Sequence, residues 1–299
     1  MSKNRAYLGY YIAFEAIDCA GKTTQIERVK HWLDCEGFST FFTREPGGTD
    51  SSIAEQIRQI ILNPENKDMT PKTEALLFAA SRAQAIPTTI RPHLEAGDVV
   101  ISDRSVYSSY AYQGCGRELF ASSTLMKEDT NGNLTRQMLG PMFSFNRWAT
   151  EDYLPDCVFY LRIPYEVMLE RKAARGIPID RIEAEQRDFY EKVITEYDRM
   201  ARVRANFVAI DGTKDEDTVY YTIINVLRKF MMADEVGKYK KLIEPKKIYR
   251  NQLDYLKMGK TKWHDARVEN FEEAQKITQQ SYRYDGNIDD IDVDLSDLF

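Results

Sequence analysis

Short apolar runs recur along the chain at Tyr10–Phe14, Ser39–Thr43, Val99–Ser102, Val158–Ile163 and Phe207–Ile210. Between them the pattern changes period. After the first run, Ile26, Val29 and Leu33 return at helical spacing, and Gly37 is a natural C′ residue to stop that helix. Thr70-Pro71 reads as an N-cap and N1 pair that opens a long helix carrying Leu76, Leu77, Phe78 and Arg82. Apolar strands alternating with amphipathic helices predict an α/β fold, a five-stranded parallel sheet with helices on both faces. In such sheets the ligand crevice lies at the carboxyl ends of the strands. Polar clusters fall there: Ala16–Thr24 after the first run, Arg44–Thr49 after the second and Asp103-Arg104-Ser105 after the third.

The first cluster, Ala-Ile-Asp-Cys-Ala-Gly-Lys-Thr-Thr, sits between strand and helix, where a P-loop belongs. A phosphate chain needs inward-pointing backbone N–H groups and a helix N-terminus, which Ala20 and Gly21 supply by having little or no side chain. Lys22 then reaches the β- and γ-phosphates, and the Thr23 hydroxyl is placed to bind Mg²⁺. One residue departs from the motif. Ala16 stands where it begins with Gly, and a positive φ there would be disfavoured. A chance turn before an amphipathic helix is the bland alternative, and the strand-to-helix context weighs against it.

Asp103 ends a strand, where its carboxylate can hold a Mg²⁺ shell or orient an acceptor phosphate, and Arg104 beside it offers a planar fork for phosphate oxygens. Taken alone, the pair also fits a helix cap with a surface ion pair. Phe78 and Arg82, four apart, share a helix face that can stack a base and bond its carbonyl edge, or else a core Phe lies beside an exposed Arg. Ser108 to Gly114 places hydroxyls and an amide on one helix, polar groups that need partners when buried. From Arg171 to Glu183 a helix ends in a cationic segment containing Gly176 and Pro178, the pattern of a lid closing over phosphates, with Arg171 and Arg175 one turn apart. A solvated helix end is the alternative.

Composition adds bounds. The 299 residues, 43% hydrophobic, can bury a large core, and a net charge of −6 argues against a nucleic-acid-coating protein. Cys19, Cys35, Cys115 and Cys157 show no metal-type or redox-type spacing, which fits reduced thiols. Met1–Arg5 is polar with no signal-like apolar run behind it, and no stretch is long enough to span a bilayer, so the expectation is a cytoplasmic protein without membrane contact.

Together these motifs resemble the thymidylate kinase family, on Phe14–Thr24, Arg44–Thr49, Leu76–Gln84, Asp103-Arg104, Tyr110–Gly114, Asn146–Thr150 and the lid, spanning roughly Tyr10 to Met231. The resemblance implies a P-loop NTPase-type three-layer sandwich with a lid, and phosphorylation of dTMP to dTDP by ATP and Mg²⁺ in dTTP synthesis. It implies that Asp18, Cys19, Ala20, Gly21, Lys22, Thr23 and Thr24 bind ATP, and that Thr23 and Asp103 hold the metal. Phe78 would stack on thymine and Arg82 bond its O4 edge. Ser109 and Gln113 would face the pyrimidine, Tyr112 the deoxyribose, and Asp18 the 3′-hydroxyl, while Glu45, Pro46 and Arg104 would complete the substrate site. Some members carry a catalytic Arg where this chain has Cys19. The catalytic cations are then Lys22 and Arg104 with a lid arginine, Arg175 or Arg171, beside Asp103. A homodimer is implied as well.

Other readings are a kinase for another deoxynucleotide or a deoxynucleoside, and an inactive kinase-like scaffold. The expected organisation is a kinase-like domain over 1–232, with an insertion at 119–143 turning at Asn131-Gly132-Asn133 and a lid at 171–183. The insertion is expected to decorate the nucleotide site or an oligomer face. An extension follows over 233–299, with a helix expected over Trp263–Gln280. Its end, 285–299, has Asp at 285, 289, 290, 292, 294 and 297 and no Lys or Arg. That composition reads as a disordered tail, or as an acidic tail that docks a replication protein.

Overall fold

The first apolar run folds as β1, Tyr10–Glu15, buried along its whole length. β2 (Thr40–Arg44), β3 (Val99–Asp103), an antiparallel pair β4 (Thr124–Glu128) and β5 (Leu134–Met138), β6 (Cys157–Arg162) and β7 (Phe207–Asp211) follow in chain order. The computed structural model describes residues 9–120, 124–128, 134–138, 141–175 and 180–237, with backbone only for 124–128, 134–138, 175 and 232–237. Five strands form one parallel sheet in the order β2-β3-β1-β6-β7, as the alternating pattern predicts. Each of β1, β2, β3 and β7 runs to a charged residue past its apolar stretch. Hydrophobicity marks burial, whereas the hydrogen-bond ladder continues while partners remain, so Phe14 and Arg44 both pair with Asp103.

Among the helices, α1 is Lys22–Cys35, α2 Ser52–Leu62, α3 Pro71–Ala85, α4 Arg91–Ala96, α5 Val106–Ser109, α6 Pro141–Thr150, α7 Tyr165–Arg175, α8 Arg187–Val203 and α9 Glu216–Gly237. The signals for α1 and α3 hold: Gly37 has φ +91° past the end of α1. Thr70 Oγ1 accepts the Thr73 N–H at 3.3 Å ahead of Pro71. Successive strand residues point to opposite faces, which assigns the layers. Tyr10 meets Phe230 of α9 at 5.5 Å, while Tyr11 packs with Ile86, Ile90 and Leu94. Tyr160, out of phase with Phe14 and Phe159, stacks on Tyr197 of α8 at 4.9 Å. Helices α1 and α9 therefore cover one face, and α8 with the 86–94 stretch covers the other.

Two stretches continue helices with π-type geometry, Ile86–Ile90 after α3 and Tyr110–Gly116 after α5. The single helix expected after Asp103 is thus one turn of α-helix followed by a widened one, which sets Gln113 and Arg117 on a common side. Within the stretch expected as an insertion, β4 and β5 pair antiparallel, and at its two ends Phe120 and Phe143 stack at 4.9 Å, both against Tyr110. Phe143, where the insertion is expected to end, lies inside α6 and packs against the core. The turn Asn131-Gly132-Asn133 lies outside the described residues, between β4 and β5. Lid residues 176–179, the helix expected over Trp263–Gln280 and the acidic tail 285–299 lie outside them too. The helix α9 continues through Gly237, past the boundary expected at Ala233. Among the described residues no helix is long and apolar enough to cross a membrane.

Candidate active site

The carboxyl rim of the sheet holds the cleft. Gly21 is the N-cap of α1 at φ +90°, with open space around its missing Cβ, so it is the backbone angle and not crowding that requires glycine. The other left-handed residue of this loop is Cys19, at φ 59°. Ala16 is fully buried and is absent from the positive-φ residues, so its Cβ meets no backbone penalty and the departure from the motif is tolerated. Its carbonyl accepts from Arg104 Nη1 at 2.7 Å and from the Tyr112 hydroxyl at 3.3 Å.

Arg104, at the end of β3, adopts φ 72°, an uncommon backbone state for a side chain of this size. Its guanidinium lies 2.7 Å from Asp18 Oδ1 and over the Tyr112 ring at 4.9 Å. Tyr190 from α8 donates to the other Asp18 oxygen at 2.9 Å. Burial pushes the Asp18 carboxyl up, but Arg104, Lys22 and the Tyr190 bond outweigh it and hold the group below its usual value. Lys22 is buried at the first turn of α1, 3.8 Å from Asp103 Oδ1. Burial and the neighbouring Arg104 lower its pKa, against the pull of Asp103, Asp18 and Glu15. Beneath the loop, fully buried Glu15 accepts from Ser105 at 2.6 Å, Ser108 at 2.5 Å and Tyr197 at 2.7 Å. Burial nevertheless raises its pKa.

One cleft of about 440 Å³ joins Asp18 through Thr24, Glu45, Pro46, Phe78, Asp103, Arg104, Tyr112, Gln113 and Arg171, a volume within the range of small-ligand sites. Most of the residues the sequence singles out therefore meet in one place. Arg82 and Ser109 stand behind it. Arg82 is 1% exposed, and its guanidinium is 2.7 Å from Glu45 Oε2, 2.5 Å from Asn146 Oδ1 and 3.1 Å from Ser109 Oγ. It therefore fixes the Glu45-Pro46 loop. The shared Phe78/Arg82 face expected from spacing does not place both side chains in the cleft, because α3 is wedged between α2 and α6. Arg171 donates to the Cys19 carbonyl at 3.3 Å and the Gly212 carbonyl at 2.9 Å, bridging the loop after β1 to the loop after β7. Arg175 ends α7, and its side chain lies outside the described residues.

Sequence reasoning missed Arg58, Glu74 and Tyr190. Arg58 lines the cleft from α2 and donates to the Pro46 carbonyl at 2.8 Å. Burial and nearby Arg44 lower its pKa. No local spacing marks it, since α2 places it beside a loop twelve residues earlier. Glu74 is buried in the first turns of α3 and joins four side-chain bonds described below. Gln113 Oε1, also buried, has no hydrogen-bond partner among the described residues. Asp103 Oδ1 is likewise buried and accepts no hydrogen bond there.

Comparison with known proteins supplies the family. The thymidylate kinase family model matches residues 14–223. The thymidylate kinase of Fervidobacterium nodosum is 38% identical over 221 residues, covering 74% of this chain and all of the relative. That of Thermosipho africanus is 36% identical over 223 residues, 75% of this chain and all of the relative. In Lactobacillus acidophilus the thymidylate kinase is 38% identical over 224 residues, 74% of this chain and 94% of its own. With the parallel sheet, the P-loop and the Phe78 side of one cleft in place, the chain belongs to the thymidylate kinase family.

Proposed function

We propose that this enzyme transfers the γ-phosphoryl group of ATP to dTMP, giving dTDP and ADP and so feeding dTTP synthesis. The observation that carries the reading is the single cleft in which the Asp18–Thr24 loop and the Phe78, Tyr112 and Gln113 side chains face a shared space. The donor's phosphates meet the N–H groups at the start of α1 and Lys22. The acceptor's base stacks on Phe78, its N3–H directed to the free Gln113 Oε1, with Tyr112 against the deoxyribose and Asp18 near the 3′-hydroxyl. Arg58 from α2 and Arg104 from the end of β3 neutralise the acceptor phosphate beside Pro46.

An oxygen of that phosphate, already ionised, attacks the γ-phosphorus in line and ADP departs, so the protein needs no general base. Its work is positioning and charge stabilisation. Lys22 and Arg104 stand where negative charge gathers, and a lid arginine, Arg175 or Arg171, completes the set. Mg²⁺ fits the residues present: Thr23 offers a hydroxyl and Asp103 a buried carboxylate oxygen that accepts no hydrogen bond among the described residues, a hard donor set. When bound, the ion would neutralise charge on the donor phosphates. Among the described residues no group of three His, Cys, Asp or Glu side chains could hold a metal ion.

A homodimer is supported by apolar side chains left exposed on the α2, α3 and α6 layer, Ile53, Ile60, Leu76 and Trp148. Four cysteines without a disulfide support a cytoplasmic setting. The replication-protein partner of the acidic tail rests on composition. Product analysis tests the central reaction: ATP, Mg²⁺ and dTMP should yield equal amounts of dTDP and ADP, and no dTDP would reject it.

A further inference from the structure

Glu74 is 1% exposed and gathers three side chains from two other parts of the chain. Gln113 Nε2 donates to its Oε1 at 2.9 Å. Arg117, from the end of the same π-helical stretch, forms a fork of 3.2 and 3.1 Å to both oxygens. Arg181, from the last residues of the 171–183 lid segment, lies 2.6 Å from Oε2 and also donates to the Ile61 carbonyl of α2 at 2.9 Å. Burial pushes the Glu74 carboxyl up, but Arg117, the Gln113 amide and Arg181 more than offset it, and the pKa falls below its usual value. The group is therefore ionised near neutral pH and can only accept hydrogen bonds.

That restriction decides which end of Gln113 enters the cleft. A carboxylate cannot donate to an amide oxygen, so the Gln113 NH₂ must face Glu74 and its Oε1 must face away. Oε1 is the atom left buried without a hydrogen-bond partner among the described residues, in a side chain that lines the cleft. We propose that Glu74 is a specificity-setting positioning residue: it holds the Gln113 carbonyl oxygen toward the base, favouring a pyrimidine with an N3–H donor and rejecting cytosine, whose N3 is an acceptor. The inference rests on the reading of this cleft as the dTMP site. Because Arg181 shares the same carboxylate, its end of the lid segment is fastened to the base-reading group.

Glu74→Gln gives the sharpest test. Arg117 and Arg181 claim the carbonyl oxygen of the new amide, which leaves its NH₂ toward residue 113. Gln113 then turns its oxygen inward and its NH₂ to the cleft, the wrong way for thymine and the right way for cytosine. The ratio of kcat/KM for dTMP over dCMP should fall at least about tenfold, as expected for one buried polar group left mispaired. The KM for ATP should stay near wild type. Gln113→Met should lower the same ratio, and the double variant should lower it no further than the larger single effect. If Glu74→Gln does not fold, Glu74→Asp replaces it, since it keeps the charge between the arginines but withdraws the carboxylate from the amide.

An unchanged ratio in a folded variant overturns the proposal, as do single effects that multiply in the double. A uniform loss of activity on both nucleotides marks Glu74 as merely structural and also overturns it. Wild-type protein run alongside separates the two readings: failure of wild type to use dTMP removes the proposed function and this inference with it, whereas normal wild-type activity confines any failure to Glu74.

Discussion

Lys22→Ala removes the buried cation of the cleft that we propose meets the donor phosphates. The ammonium is 9% exposed and 3.8 Å from Asp103 Oδ1, close to the contact distance for a phosphate oxygen in the same cleft. At that range two unit charges interact by about 4 kcal/mol with an effective dielectric of about 20. Only the part that grows as charge shifts in the transition state affects turnover. Taking about 3 kcal/mol, the order of one lost oxyanion contact, gives a fall in kcat of about two orders of magnitude. Stability should change little, because burial and Arg104 already disfavour the charged form of Lys22. The melting temperature is expected within about 4 °C of wild type, the equivalent of about 1 kcal/mol. A coupled ADP-release assay gives kcat and KM, and thermal denaturation confirms folding. A folded Lys22→Ala protein with near-full turnover would refute the reasoning.

Arg58→Ala should raise KM for dTMP about tenfold, a loss of about 1.4 kcal/mol, while KM for ATP stays constant; equal rises in both would place Arg58 elsewhere. Ala16→Gly should lower stability by about 0.5–1 kcal/mol, because glycine adds freedom to the unfolded chain and relieves no positive φ in the folded one. A gain in chemical-denaturation midpoint would contradict the backbone described for Ala16. Glu74→Gln should also reshape the pH dependence of stability. The folded-state pKa of Glu74 is depressed, so its ionised form contributes stability above the unfolded carboxylate pKa, and this is lost as pH falls through the folded value. The gap between wild type and variant in urea midpoint should narrow on acidification, and a gap that widens would reverse the assigned sign.

What the sequence shows of this protein is what neighbouring residues decide. The five strands and the start of α3 come from apolar runs and from Thr70-Pro71, where the physics is local. The P-loop is legible for the same reason. Arg82 is not, because its place depends on Glu45, Asn146 and Ser109, which lie 37, 64 and 27 residues away. Helical spacing correctly joins Arg82 to Phe78 on one helix, yet packing of α3 between α2 and α6 decides that the ring reaches the cleft and the guanidinium stays behind. Glu74 is hidden in the same way, its partners being 39, 43 and 107 positions off. The π-helical turn that aligns Gln113 with Arg117 carries no periodic signature over so short a stretch. Ala16 is the reverse case, a local oddity that the backbone makes harmless.

The central claim is that one cleft reads a thymine nucleotide and phosphorylates it. The most direct measurement is ADP release by the full-length protein with ATP and Mg²⁺ and, separately, dTMP, dUMP, dCMP, dAMP and dGMP, each as kcat/KM. The account predicts that dTMP is used best, with dCMP and both purine nucleotides at least about tenfold poorer, as expected when a buried polar group is left unpaired. No ADP release above background with dTMP, or a clear preference for a nucleotide without an N3–H pyrimidine edge, would contradict it.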